Sequence, residues 1–393
     1  MADLARFSRQ LMLPGFGSGG QAALGAARVL VIGAGGLGCN VLPQFAAMGV
    51  GTIGIVDDDV VDASNLHRQT LYTPADVGAP KAARAAARLR ELNPDTAVRV
   101  HLDRLTSANA LALFAKYDLV VDGSDNFPTR YLADDAAALS GMPVVWGAVH
   151  QYGGQAGVAW AAEGPAYRDL FPVPPEPGTV PSCAEAGVLP SVCAVIGSVL
   201  VTEAVKLITG VGEPLIGRVV AYDARGGGFR ELEYGRDPER MPVAELIDYE
   251  EFCGLGGSSV SIRSAQSTSE EPAAGVSAVQ QEEAMSEAPD EISAEQLAAL
   301  INADERIQLV DVREPWEVEI AKIDGATVIP LRQLTARWNE LDPAVPTVIY
   351  CHAGVRSAQA RDMLRSIDFE SVSSLAGGID AWSRDVDPRV SRY

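Results

Sequence analysis

The chain has 393 residues, 47% of them hydrophobic and 21% charged, with a formal net charge of −21. That length exceeds one comfortable core, so two domains are expected, and the acidity excludes a nucleic-acid binder, which needs a basic surface to neutralise phosphates. Five scattered cysteines, Cys39, Cys183, Cys193, Cys253 and Cys351, exclude a dense secreted disulfide framework and fit the reduced thiols of a cytoplasmic protein.

In chain order, Met1-Ala-Asp-Leu-Ala-Arg-Phe7 lacks the apolar core of a signal peptide. Arg28-Val-Leu-Val-Ile-Gly33 reads as a strand ending at glycines, and Gly36 to Met48 has helical spacing that Pro43 should kink or shorten. Thr52 to Val56 is the next strand, closing at Asp57. Val98 to Val100, Asp118 to Val121 and Pro143 to Trp146 continue the series, with helical stretches at Lys81 to Leu92 and Ala108 to Lys116. Strands alternating with helices predict a doubly wound, mostly parallel α/β sheet. The apolar stretch Ala186 to Thr202 is interrupted by Pro190 and followed by Glu203. A membrane span needs about 20 apolar residues, so a buried helix and no membrane are expected.

The texture changes near residue 254. From Ser264 to Glu291 there are seven acids and no basic or aromatic residue, which predicts a flexible, self-repelling acidic linker over 255–291. A second small α/β pattern then fills 292–393: a helix from Ser293, a plausible N-cap with Gln296 three residues on, strands at Ile307 to Val310 and Thr347 to Tyr350, and a helix from Ser357.

Two segments carry chemistry. Gly33-Ala-Gly-Gly-Leu-Gly38, with Gly35 between, stands between a strand and a helix, where backbone N–H groups face phosphate. Asp57 can accept ribose hydroxyls. These residues alone fit an NAD or FAD enzyme by default. Arg9, Arg68 and Lys81 near the phosphate end, and Asp125-Asn126 after a strand, favour a triphosphate, with Asp125 able to hold Mg2+. A dehydrogenase and a module that docks a partner without turnover remain the competing classes. The second segment is Cys351-His352-Ala353-Gly354-Val355-Arg356. Backbone N–H groups curled over one sulfur stabilise a thiolate or persulfide, aided by the following helix dipole. The loop is one residue shorter than a Cys-x5-Arg phosphatase loop, so a single sulfur should fit it better than phosphate.

Arg6-Phe-Ser-Arg-Gln10, the glycine turn, Ser64-Asn65-Leu66-His67-Arg68-Gln69, Gly78-Ala-Pro-Lys81, Gly123-Ser-Asp-Asn126 and Pro181 to Gly187 together resemble the MoeB/ThiF family, in order, over residues 6 to 253. The resemblance implies that ATP adenylates the C-terminus of a ubiquitin-like sulfur carrier protein ending in Gly-Gly, with release of pyrophosphate. It implies that Gly36, Asp57 and the Ser64–Arg68 motif hold the nucleotide, that Arg68 and Lys81 neutralise phosphate, and that Asp125 serves Mg2+. It also implies a homodimer through the N-terminal domain, in which Arg9 reaches the neighbouring nucleotide. Cys183 matches the family's loop thiol, and the helix after it can lower a thiol pKa. Whether it forms a thioester or resolves a disulfide stays open, and Cys39 and Cys193 read as buried and inert.

Many family members hold structural zinc on two Cys-x-x-Cys pairs. The matching positions here are Ala166-Tyr-Arg-Asp169 and Glu250-Glu-Phe-Cys253. One cysteine with carboxylates is a poor zinc site, so no structural zinc is expected, with packing around Phe171 and Phe252 in its place. Asp311-Val-Arg-Glu-Pro315 and Leu375 to Trp382 resemble the rhodanese domain over roughly residues 291 to 388, with Ala321-Lys-Ile323 a departure in a supporting loop. The domain order resembles MoeZ-type proteins. It implies a Cys351 persulfide, loaded by a donor such as a cysteine desulfurase or thiosulfate, that yields a carrier thiocarboxylate; the pathway, whether molybdopterin, cysteine, thiamine or another, is left open.

Overall fold

The computed structural model describes residues 6–176, 179, 186–254, 289–303, 305–367, 369 and 371–392. Cys183 and residues 255–288, most of the segment read as a linker, lie outside them. The chain divides into two compact units, Met1–Ser261 and Ile262–Tyr393.

In the first unit, an eight-stranded sheet has the order β3-β2-β1-β4-β5-β6-β7-β8. Strands β1 (Arg28–Ile32), β2 (Thr52–Val56), β3 (Ala97–His101), β4 (Leu119–Asp122) and β5 (Val144–His150) run parallel. Apolar runs such as Val29 to Ile32, covered on both faces, suit a parallel sheet. Order reverses at β1, so the loops after β1 and β4 flank a switch-point crevice of the kind that receives ligands in open α/β sheets. The antiparallel extension β6 (Gly153–Ala159), β7 (Arg218–Asp223) and β8 (Gly228–Glu233) was not anticipated. Its alternation is weak because β8 is exposed throughout.

Helix α3 (Gly38–Met48) packs Cys39, Val41, Leu42, Phe45 and Ala46 into the core and continues through Pro43, contrary to the expected shortening. The preceding segments α1 (Ser8–Leu11) and α2 (Gly17–Ala26) are tied to its end, where Gln10 and Gln21 both donate to Met48 O, at 2.9 and 3.1 Å. Helix α4 (Lys81–Leu92) buries Ala82, Ala85, Ala86 and Leu89, one stripe at helical spacing. Helices α5 (Ala110–Phe114) and α6 (Phe127–Ser140) cover the other face, and α7 (Tyr167–Leu170) is a single turn. Helix α8 (Pro190–Thr209) is long and apolar enough to cross a membrane, the only such helix among the described residues. It is a core helix here. Val192, Cys193, Ile196, Leu200, Val201 and Ala204 are buried, and the carboxylate of buried Glu203 is met by Lys206 and Leu215 N. Pro190 does not interrupt it but starts it, where the missing N–H costs nothing. Before α8 the chain is pinned to the β5–β6 turn: Gln151 N donates to Gly187 O (3.0 Å) and Leu189 N to Gln151 O (2.8 Å). Gln151, with φ 52°, is the one non-glycine residue of positive φ among the described residues. The unit closes near α9 (Tyr249–Phe252).

The second unit is a parallel five-stranded sheet of order β11-β10-β12-β13-β9. It begins at β9 (Glu291–Ile292), so Glu291, expected in the linker, already pairs with β13 (Val372–Leu375). Helix α10 (Ala294–Asn302) starts at Ser293 with the expected reciprocal cap: Ser293 Oγ accepts from Gln296 N, and Gln296 Oε1 from Ser293 N. Then follow β10 (Gln308–Asp311), α11 (Pro315–Ile320), β11 (Thr327–Val328), α12 (Leu331–Arg337), β12 (Thr347–Tyr350), α13 (Val355–Arg365) and, after β13, α14 (Gly378–Asp385). Helix α13 begins two residues before the expected Ser357, so Val355 and Arg356 are already its first turn.

Candidate active sites

The glycine turn is shaped by close approach. A Cβ at Gly33, where φ is +88°, would meet Gly123 O at 3.0 Å, and one at Gly38 would overlap Gly33 O at 2.0 Å. A Cβ at Gly36 would lie 3.0 Å from Cys193 Sγ below and 3.7 Å from the Arg68 side chain. Glycine at these points folds the turn tightly between β4 and α8 and leaves its backbone open to a ligand.

Asp57, at the end of β2, accepts from Ala34 N (2.7 Å) and Asp59 N (3.0 Å), bracing the turn from the side. Burial holds its carboxyl above the ordinary range, opposed by the Ala34 N–H and the Lys81 charge. Lys81 opens α4 almost completely buried, its Nζ 2.8 Å from Asp59 Oδ2, whose side chain is 70% exposed. Arg68 Nη2 donates to Asn65 Oδ1 at 2.7 Å, a neutral partner. Ser64 and Asn65 lie in a short 3-10 turn capped by Asp62; His67 Nδ1 meets Ser64 O at 2.9 Å, and Leu66 packs against the core. Asp125 stands exposed at the end of β4. Asn126 has another duty: its side-chain oxygen caps α6 by accepting from Thr129 N (2.9 Å). Arg9 is exposed on α1.

Two polar atoms beside this turn have no hydrogen-bond partner, Gln69 Oε1 and Ser124 Oγ, both on buried residues. Gln69 Nε2 sits 3.6 Å from where a Gly35 Cβ would stand, and Ser124 N 3.4 Å from that of Gly33. Buried polar atoms without partners are costly, and a polar ligand in the crevice would satisfy them. A nucleotide therefore fits the residues present. Both residues stood in motifs quoted from the sequence, yet nothing there separates them from their neighbours.

In place of zinc ligands, the two segments are joined by charge and rings. Asp169 Oδ2 accepts from Ala166 N (2.6 Å), and its Oδ1 pairs with Arg240 (2.6 Å). Arg168 is held by Asp135 at 2.7 and 2.8 Å and lies 4.5 Å over the Phe252 ring. Tyr249 OH donates to the same Asp135 (2.7 Å), and Tyr167 stacks within 4.9 Å of Phe171. Cys253 is buried beneath.

In the second unit Cys351 follows β12 with 2% exposure. Its Sγ accepts from Gly354 N (3.1 Å) and from Ser357 Oγ (3.6 Å). One main-chain donor, rather than the expected succession, is in reach among the described residues. The loop carbonyls of Cys351 and His352 are tied outward to Ile379 N (2.9 Å) and Asp380 N (3.2 Å). Gly354, at φ +104°, makes the turn into α13. Arg356 does not point its charge at the sulfur: both terminal nitrogens bind Glu317, at 2.7 Å each. Burial lowers the His352 imidazole below its ordinary value, against Asp380 and Glu317. Arg313, fully buried, is locked on Asp311 at 2.6 Å.

Two α/β folds, one with a glycine turn and one with a cysteine loop, and relatives of both activities mark an enzyme that is both an adenylyltransferase and a sulfurtransferase. The chain belongs to the ThiF family, matched over residues 7–243, and carries a rhodanese-like domain over 293–385. It is 44% identical to the probable adenylyltransferase/sulfurtransferase MoeZ of Mycobacterium tuberculosis, over all of this chain and 95% of that protein. It is 52% identical to a sulfur carrier protein adenylyltransferase of Thermus thermophilus over 64% of this chain and 97% of that one. The crystal structure of E. coli MccB with MccA-N7isoASN superposes with a TM-score of 0.55 at 19% identity, covering 62% of this chain and 75% of that one, a likeness of fold.

Proposed function

We propose that the first unit uses ATP to adenylate the C-terminal glycine of a ubiquitin-like sulfur carrier ending in Gly-Gly, and that the second replaces the adenylate with sulfur. What carries this is the presence in one chain of a glycine turn with Lys81 and Arg68 beside it and a buried cysteine cradled by hydrogen-bond donors. The carrier carboxylate attacks the α-phosphate and pyrophosphate leaves. Gly33, Gly35, Gly36 and Gly38 offer backbone to the phosphates, Asp57 the ribose contact, and Lys81 and Arg68 the neutralising charge. Asp125 would hold Mg2+, which supplies further charge neutralisation.

Cys351, carrying a persulfide from a cysteine desulfurase or thiosulfate, attacks the acyl carbon with its outer sulfur and expels AMP. A thiol then cleaves the resulting acyl disulfide. With Cys183 in that role, the products are carrier thiocarboxylate and a Cys183–Cys351 disulfide. The protein works as a cytoplasmic homodimer in which Arg9 reaches the neighbouring nucleotide. It needs no structural zinc, because Arg168, Asp135, Tyr249 and Phe252 already join the segments that zinc ties in relatives. The test is incubation of the full chain with ATP, a persulfide donor and a Gly-Gly carrier. The carrier should gain the mass of one sulfur replacing one oxygen. Pyrophosphate release without that gain would leave only the first half standing.

A further inference from the structure

Behind the Cys351 loop lies a pair of serines with no part in the scheme above. Ser357 and Ser374 are both fully buried. Ser374 Oγ donates to Ser357 Oγ at 2.9 Å, and Ser357 Oγ has two acceptors in reach, Gly354 O at 2.8 Å and Cys351 Sγ at 3.6 Å. A hydroxyl carries one proton. Because Ser357 receives the proton of Ser374, its own is directed to one of those two acceptors.

We propose that Ser357 is a catalytic residue of the sulfur site, turning its proton from Gly354 O to the Cys351 sulfur when that sulfur is an anion, and that Ser374 is the positioning residue that holds it in that orientation. The proposal rests on the reading of Cys351 as the sulfur-bearing residue. While the sulfur is a thiol, the nearer carbonyl is the better acceptor. A thiolate or persulfide anion reverses the preference, since hydrogen bonds to charged acceptors are roughly twice as strong, and burial away from water enlarges the difference. Among the described residues, the two arginines of this neighbourhood are engaged by carboxylates. Arg356 and Arg313 are bound to Glu317 and Asp311, His352 is held below its ordinary pKa by burial, and Asp380 adds a carboxylate to the same surroundings. The Gly354 N–H and the Ser357 hydroxyl are then the two donors, among the described residues, that meet the anion.

The test follows alkylation of Cys351 by iodoacetamide against pH, read by mass on the peptide that carries it, alongside sulfur transfer from thiosulfate and thermal unfolding of the full chain. Ser357→Ala should move the alkylation midpoint upward and slow sulfur transfer about tenfold, the size of one hydrogen bond to a charged group. Ser374→Ala should do the same more weakly, about threefold, without touching the sulfur. Ser357→Thr, which keeps the hydroxyl, should restore the wild-type midpoint. A structural role alone would lower the unfolding temperature and leave the midpoint in place. Midpoints in Ser357→Ala and Ser374→Ala that coincide with wild type would overturn the proposal. If wild-type Cys351 accepts no sulfur from thiosulfate or a persulfide donor, the prior reading fails instead, and the alkylation profiles still report on the serines.

Discussion

The cations beside the two candidate sites are partnered in different ways. Beside the glycine turn, Lys81 is paired with an exposed Asp59, and Arg68 with a neutral carboxamide. Beside Cys351, Arg356 is clamped by a carboxylate that is 3% exposed, and Arg313 by one wholly buried. A triphosphate brings several charges that arrive and leave, so cations with exchangeable partners suit it. One sulfur anion needs less, and fixed dipoles at short range suffice while the arginines brace the loop. On the proposed reading the cation has a different job in each unit: ligand contact in the first, scaffolding in the second.

The sharpest way to break this contrast is to remove the cations of the first unit. Lys81→Ala or Arg68→Ala should cut carrier-dependent ATP–pyrophosphate exchange by about 100-fold or more, the range seen for lost donors at preorganised sites, with sulfur transfer at Cys351 near normal. Full exchange in either variant at saturating carrier would end the assignment. The reciprocal case is Cys351→Ala, which should retain exchange and lose sulfur transfer.

A smaller effect is expected from the scaffold. Glu317→Ala removes both acceptors of Arg356 and should destabilise the second unit by about 3 kcal/mol, as for other buried pairs that lose one partner. Denaturant unfolding of the full chain, with a signal assigned to the second unit, measures it. No change would return Arg356 to the role of an anion ligand.

A pH effect sharpens the comparison further. Asp311 has its own arginine, whereas among the described residues Asp134 accepts only from the backbone of Tyr167 and Arg168 while the Arg168 side chain serves Asp135. Burial pushes the Asp134 carboxyl up to about 6 from 3.8. Between those values the folded chain keeps a proton that the unfolded chain has released, so this group's stabilisation fades as pH rises from about 4 to about 6. Replacing it in Asp134→Asn should flatten that part of the pH dependence of thermal unfolding of the first unit. An unaltered slope would mean that Asp134 stays charged. At the foot of the scale, a metal chelator should not change the unfolding temperature, and elemental analysis should find less than stoichiometric zinc.

What could be read from the residues followed from local chemistry. The run Val29 to Ile32, the Ser293–Gln296 cap and the α4 stripe each announce themselves within a few positions. Partners distant in sequence did not. Glu317 meets Arg356 across 39 positions and Ser374 meets Ser357 across 17, contacts that only the parallel sheet creates. Asn126, placed after a strand and before a helix, has a capping role that the sequence motif does not announce. The extension β6 to β8 escaped because glycine-rich β6 and fully exposed β8 lack the alternation that marks a half-buried strand.

The pinning of Gly187 and Leu189 to Gln151 fixes the point from which the chain enters α8. The clasp sits on a backbone conformation that non-glycine residues rarely adopt. The entry of the long helix α8 is thus moored to the sheet by backbone hydrogen bonds at a single residue, so a change at Gln151 that resists positive φ acts on the start of that helix.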